Sequence, residues 1–244
     1  MRANLLFAAF SMVSTILFAQ KTDDFTTSSG YTLRITHIGH GTLMFNFRGK
    51  VIHIDPWSRL AEYDSLPKAD YVFLTHHHGD HLDSVALSKV VTSNTLLYWT
   101  KICAAQSKLK LEGKVVANGD TIATPDFRFI AVPAYNIVNK RSNGNPFHPQ
   151  GEGNGYIFEF DNLRVYVAGD TENIPEMEGF GYIDIAFLPA NLPYTMSPEM
   201  LKSAVLMLKP KILFPYHTGN TDLNIIKDMF VDIKDVDVRF RELK

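Results

Sequence analysis

Four of the chain's nine histidines fall within ten residues, in the run LTHHHGDHLD from Leu74 to Asp83. Imidazole nitrogen and carboxylate oxygen are ligand atoms suited to zinc and similar divalent ions. His76 and His78 stand two residues apart, so in an extended or looping backbone they face the same way and can grip one ion. Asp80 and His81 follow a few residues later and can serve a second ion. His77 then points away, into the sheet or toward solvent, and is a spacer expected to tolerate substitution. The spacing H-x-H-x-D-H leaves two of six positions free and is among the more specific short metal motifs. A polar loop of solvated histidines is the competing reading, and the density of ligand atoms outweighs it.

These ligands need elements that place them. Tyr71 to Leu74 is apolar and reads as a buried strand feeding the histidine run, and Asp83 to Val91 continues as a helix capped by Asp83 or Ser84. The β pattern begins at Tyr31, with strands over 33–36, 43–47 and 51–54 and a turn at Arg48-Gly49-Lys50. Further strands are expected at 95–99, 114–117, 127–132, 155–160, 163–168, 184–188 and 211–215. A helix over 198–208 starts at Ser197-Pro198-Glu199 and stops before Pro210. The chain also repeats itself weakly. Phe45-Asn46-Phe47, a turn and a strand lead to Asp55; Phe158-Glu159-Phe160, a turn and a strand lead to Asp170. Another strand follows each aspartate, after Asp70 and after Asp184. Two such halves, β-rich and closed by helices, make a sandwich of two sheets flanked by helices. Residues 136–155, crowded with Asn, Gly and Pro, read as a long functional loop.

Composition sets the outer limits. The 244 residues are 45% hydrophobic and 20% charged with a net charge of −2, which fits a globular protein and gives no general attraction to nucleic acid. Met1-Arg2, the apolar run Leu5 to Phe18 and Ala19 before Gln20 follow the pattern of a secretory signal peptide over 1–19. The run is short for a membrane span, so export to the periplasm or medium is expected, with no stable membrane insertion after cleavage. Residues 20–30 read as a polar tether and 31–244 as one domain. The single cysteine, Cys103, excludes an intrachain disulfide or a cysteine-based metal site.

The run His76-x-His78-x-Asp80-His81 after an apolar strand resembles the signature of the metallo-β-lactamase superfamily of metal-dependent hydrolases. Ile38-Gly39-His40-Gly41-Thr42, Asp55-Pro56, Ala168-Gly169-Asp170-Thr171 and Tyr216-His217-Thr218 fall in that family's order. The chain is most similar to the branch of ascorbate-6-phosphate lactonase-like proteins and the phospholipase D that cleaves N-acyl-phosphatidylethanolamine. The resemblance implies a four-layer αββα sandwich of two mixed β-sheets, and two divalent metal ions, zinc foremost with manganese or iron as alternatives. It places His76 and His78 on the first ion, Asp80, His81 and His217 on the second, and Asp170 between them. The family's third histidine for the first ion is missing from its usual place, because Ala134 is followed by Tyr135-Asn136. His148, held between Pro146-Phe147 and Pro149 on the long loop, is the expected replacement; otherwise it is a substrate contact or a surface residue.

Asp55 is the best partner to orient a metal-bound imidazole. His40 is expected to line the site, Tyr135 and Tyr194 to line a pocket, and Lys140 and Arg141 to meet an anionic group. His37 and His53 lie on strands and carry no assigned role. A metal-bridged hydroxide, with Asp80 and Asp170 passing the proton, would cleave an ester, lactone or phosphodiester bond of a small molecule or lipid. A nuclease of the same fold would carry more basic charge than this chain has. An iron-dependent oxidoreductase of the fold and a non-catalytic metal-binding scaffold are the remaining alternatives.

Overall fold

The computed structural model describes residues 21–241 and 243, and the expected signal peptide lies outside them. Among the described residues, fourteen strands form two sheets of seven. The first sheet runs in chain order: β1 (Lys21–Thr26), β2 (Thr32–Gly39), β3 (Thr42–Phe47), β4 (Lys50–Ile54), β5 (Tyr71–Phe73), β6 (Leu96–Trp99) and β7 (Lys114–Val115). The second holds β8 (Thr121–Ala123), β9 (Arg128–Ala134), β10 (Gly153–Phe160), β11 (Leu163–Val167), β12 (Ile185–Pro189), β13 (Ile212–Tyr216) and β14 (Asp237–Val238). Within each sheet the first four strands pair antiparallel and the rest parallel. Parallel neighbours need crossover connections, and helices supply several of them. These are α1 (Ser84–Val90) and α2 (Lys101–Gln106) on the first sheet, and α3 (Pro198–Leu208) and α4 (Leu223–Met229) on the second.

Aromatic side chains fill the space between the sheets. Phe45, Phe73, Phe129, Phe158, Phe160, Phe187 and Phe214 are fully buried there, several in edge-to-face contact, such as Phe73 with Phe129 and Phe158 at 4.8 Å. Each such ring contributes roughly 1.5–3 kcal/mol by leaving water. The outer faces are apolar as well. Val72, Leu74, Leu97 and Trp99 meet Ala86, Leu87 and Val90 of α1, while Ala186, Leu188 and Leu213 meet Leu201, Ala204, Val205 and Leu208 of α3. Burial on both faces explains why β5 and β12 are continuous apolar runs rather than alternating ones. The result is the four-layer αββα sandwich.

Two expectations change. Residues 21–26 are not a tether: β1 pairs along its whole length with β2, from Lys21 opposite His37 to Thr26 opposite Thr32. Its polar side chains suit an edge strand, and Asp23 fastens it through Arg241 at 2.7 and 2.8 Å and His37 at 2.7 Å. The long loop is also shorter than expected, because Gly153 and Asn154 already belong to β10.

Candidate metal centre

Beyond β5 the chain passes Leu74 and Thr75 into a tight loop. His81 and Leu82 N–H both donate to the His78 carbonyl, at 3.0 and 2.7 Å. The loop then enters α1, where Asp83 accepts from Val85 N–H at 2.7 Å and Ala86 N–H at 3.1 Å. A strand fixes one end of the histidine run and a capped helix the other.

The ligand atoms converge at one end of the sandwich. Nε2 of His76 and Nε2 of His148 each lie 3.1 Å from Nδ1 of His78. Nε2 of His40 and of His217 lie 3.2 and 3.5 Å from the Asp80 carboxylate. Asp170 stands between the groups, 3.3 Å from His148, 3.4 Å from His217, 3.4 Å from His81 and 3.9 Å from His76. His77 points away and lines a separate surface groove with Gly79, Leu82 and Asp83.

These residues fit divalent ions. Nε2 of His81, Nε2 of His217 and Oδ1 of Asp170 are buried without a hydrogen-bond partner, a costly arrangement that a bound cation relieves. Electrostatics agree. Burial works against charge on His81, yet Asp170, Asp55 and Asp80 raise its pKa to about 10, so the carboxylates favour a positive charge here that a bound cation would supply in place of the proton. Burial likewise opposes the Asp170 charge, but His217, His81, His148 and His76 keep that carboxyl well below the usual range. His76 is pushed well down by burial and neighbouring His81, and His78 down to about 4 by burial and His148, so both present the neutral nitrogen that ligation needs.

A second set of groups aims the first. Asp55 Oδ2 lies 2.7 Å from Nδ1 of His81, accepts from Thr75 Oγ1 at 2.6 Å, and its Oδ1 accepts from Thr75 N–H at 2.8 Å. Fixing Nδ1 leaves Nε2 of His81 for the centre. His40 and His217 both hold left-handed φ of 47°, their rings are 3.6 Å apart, and His217 N–H donates to the His40 carbonyl at 3.0 Å. Gly41 allows this closeness, since a Cβ there would stand 2.9 Å from the His81 ring.

His148 reaches the centre through the loop after β9. Asn136 Oδ1 accepts from His148 N–H at 2.8 Å and lies 2.7 Å from its Nδ1, leaving Nε2 to face His78. Beneath, the fully buried Glu172 carboxylate accepts from the N–H groups of Ile137, Val138 and Asn139, each at 2.7 Å, and from Asn136 Nδ2 at 3.1 Å. Sequence reading passed over both residues. Asn136 occupies the place where a histidine was sought, and Glu172 stands two residues after Asp170, so adjacency was the available signal.

A cavity of about 430 Å³ opens onto the centre. His40, Asp80 and Tyr194 line it, and so do Trp57, Phe147 and Asn191, which carried no motif to mark them. Tyr135 does not line it. Its ring turns outward among the apolar residues under α3, and its hydroxyl donates to Glu176 at 3.0 Å. Arg141 lines the cavity, while Lys140 pairs with Pro146 in an isolated bridge beside it.

Comparison with known proteins gives a consistent assignment. The family model described as a Beta-lactamase superfamily domain matches residues 34–217. A UPF0173 metal-dependent hydrolase from Pelotomaculum thermopropionicum is 31% identical over 196 residues, covering 76% of this chain and 84% of that protein. One from Nanoarchaeum equitans is 29% identical over 189 residues, covering 76% and 83%. A crystal structure from Parabacteroides distasonis, assigned as a metal-dependent hydrolase, is 45% identical with a TM-score of 0.87, covering 93% of this chain and all of that one. The relatives are named metal-dependent hydrolases, and the chain therefore belongs to the metallo-β-lactamase superfamily.

Proposed function

We propose that this protein is an exported hydrolase that cleaves an ester, lactone or phosphodiester bond of a small molecule or lipid, with two divalent ions, zinc foremost, in the histidine–aspartate centre. The observation that carries the reading is Asp170, whose one carboxylate lies within 3.9 Å of imidazoles from both ligand groups. His76, His78 and His148 would hold one ion, Asp80, His81 and His217 the other, and Asp170 both. Bound there, the ions supply an acidified water and a Lewis acid for the departing oxygen.

The chain's own residues do the rest. Asp80 has a side chain 29% exposed against 4% for Asp170, so it is the carboxylate that faces substrate and can take and pass a proton. Asp55, Thr75 and Asn136 hold His81, His76 and His148 in the orientations that expose one nitrogen each. Trp57, Phe147 and Tyr194 form an apolar wall that limits water beside the reacting bond.

Metal analysis of the purified protein, then a panel of phosphodiesters, phospholipids, lactones and simple esters, tests the reading. Near-stoichiometric transition metal and activity lost in Asp80→Ala/His81→Ala are expected. Metal-loaded protein inactive on the whole panel, or equal activity in the double variant, would leave the scaffold alternative standing.

A further inference from the structure

Arg141 stands at the mouth of the centre. Its guanidinium lies 4.9 Å over the Phe147 ring, and its Nη2 donates to the Phe147 carbonyl at 3.3 Å. The same nitrogen is 3.4 Å from Nε2 of His78. Among the described residues no carboxylate forms an ion pair with it. Its backbone is fixed in a small hairpin, with Arg141 N–H donating to the Asn145 carbonyl at 2.7 Å and Gly144 N–H to the Arg141 carbonyl at 2.9 Å.

The tautomer of His78 decides what this pair can do. Nδ1 of His78 faces His76 and His148, so Nδ1 is its ligand atom. A neutral imidazole that ligates through Nδ1 keeps its hydrogen on Nε2, and guanidinium nitrogens only donate. Two donors therefore stand side by side with no acceptor for the contact between them. An oxyanion on the cavity side can accept from both, in a charge-assisted pair beside the first ligand group. Behind it lie Phe147 and Tyr194, edge to face at 5.1 Å, and Trp57 across the cavity.

We propose that the substrate carries an oxyanion, carboxylate or phosphate, which Arg141 and the His78 Nε2–H hold, with an apolar portion against Phe147, Tyr194 and Trp57. Arg141 is then the residue that selects anionic over neutral substrates. The bond cut beside that anion is taken from the hydrolase reading above, but binding of the anion does not depend on turnover.

Calorimetric titration of the metal-loaded protein with phenylacetate, phenylphosphonate and the neutral phenylacetamide tests this. Arg141→Ala should weaken at least one of the two anions about tenfold or more and leave the amide unchanged, and Arg141→Lys should recover part of the loss. The anion that loses more identifies the favoured group. Anion affinities within twofold of the parent protein in Arg141→Ala, or an equal loss for the amide, overturns the proposal. So does a fall in metal content of the variant, because the arginine would then be supporting His78 rather than substrate. Anions bound through Arg141 without hydrolysis of any panel compound would sink the hydrolase reading alone; hydrolysis unaffected by Arg141→Ala, with anion binding also unaffected, would sink only this one.

Discussion

The two sheets carry the same strand plan, yet they treat their strand-end aspartates differently. Asp70 N–H donates to the Val51 carbonyl while its carboxylate accepts from Val51 N–H; Asp184 repeats both bonds with Arg164, all at 2.9–3.0 Å. At the ends of β4 and β11 the match shifts. Asp55 N–H donates to Phe73 and Ala168 N–H to Phe187, so Asp55 corresponds to Ala168 and not to Asp170. Two further residues, Gly169 at a left-handed φ of 65° and Asp170, carry the second carboxylate past the sheet edge. A carboxylate at the edge orients an imidazole; one just beyond it faces the centre itself.

Three substitutions probe this asymmetry. Asp170→Asn should have the largest effect, removing metal by elemental analysis and lowering activity by more than the roughly 100-fold upper range typical of groups that only orient a ligand. Asp55→Asn should fall inside that range, about 10–100-fold in metal affinity or activity, with the ligand set retained. Equal losses in the two would break the distinction.

The third and smallest effect concerns stability. His53 and Tyr166 occupy matching places on the outer faces of β4 and β11. Burial pushes the His53 ring down to about 4, while its Nε2–H donates to the Pro67 carbonyl at 3.0 Å. The unfolded chain takes up a proton near pH 6.5 and the folded protein does not, so this stabilisation is full above pH 6.5 and declines toward pH 4. The loss amounts to about 3 kcal/mol at most. Denaturant titrations at pH 7 and pH 4.5 should show a smaller drop for His53→Gln than for the parent protein. An equal drop would mean that His53 contributes nothing and that other groups, buried His37 among them, carry the pH dependence.

Long regular elements were legible from the chain alone because their patterns are local. Ser197-Pro198-Glu199 and Pro210 mark α3 at both ends, and Pro198–Leu208 is the observed helix. The short elements α2, α4, β8 and β14 were not legible, since two to seven residues carry too little periodicity and are set by packing. The same division holds in the site. His76, His78, Asp80 and His81 share one loop and announce themselves by spacing. Glu172 and Asn136 act across 36 residues, and Trp57 and Phe147 meet only in the folded cavity. Tyr135 misled because its neighbour Asn136 does face the site, while the tyrosine ring turns to the opposite side of the strand end.

One buried carboxylate ties two tasks to a single stretch of chain. Glu172 anchors residues 136–139, and the same segment runs on through Arg141 to His148. Changes in length at the hairpin tip around Asn143 and Gly144 can remodel the cavity mouth while His148 stays on its Asn136 tether. Changes nearer the anchor cannot be made so freely, because they would shift His148 together with Arg141. On the role proposed for Arg141, changes of substrate choice that spare the His148 position fall to the few residues between Arg141 and Phe147.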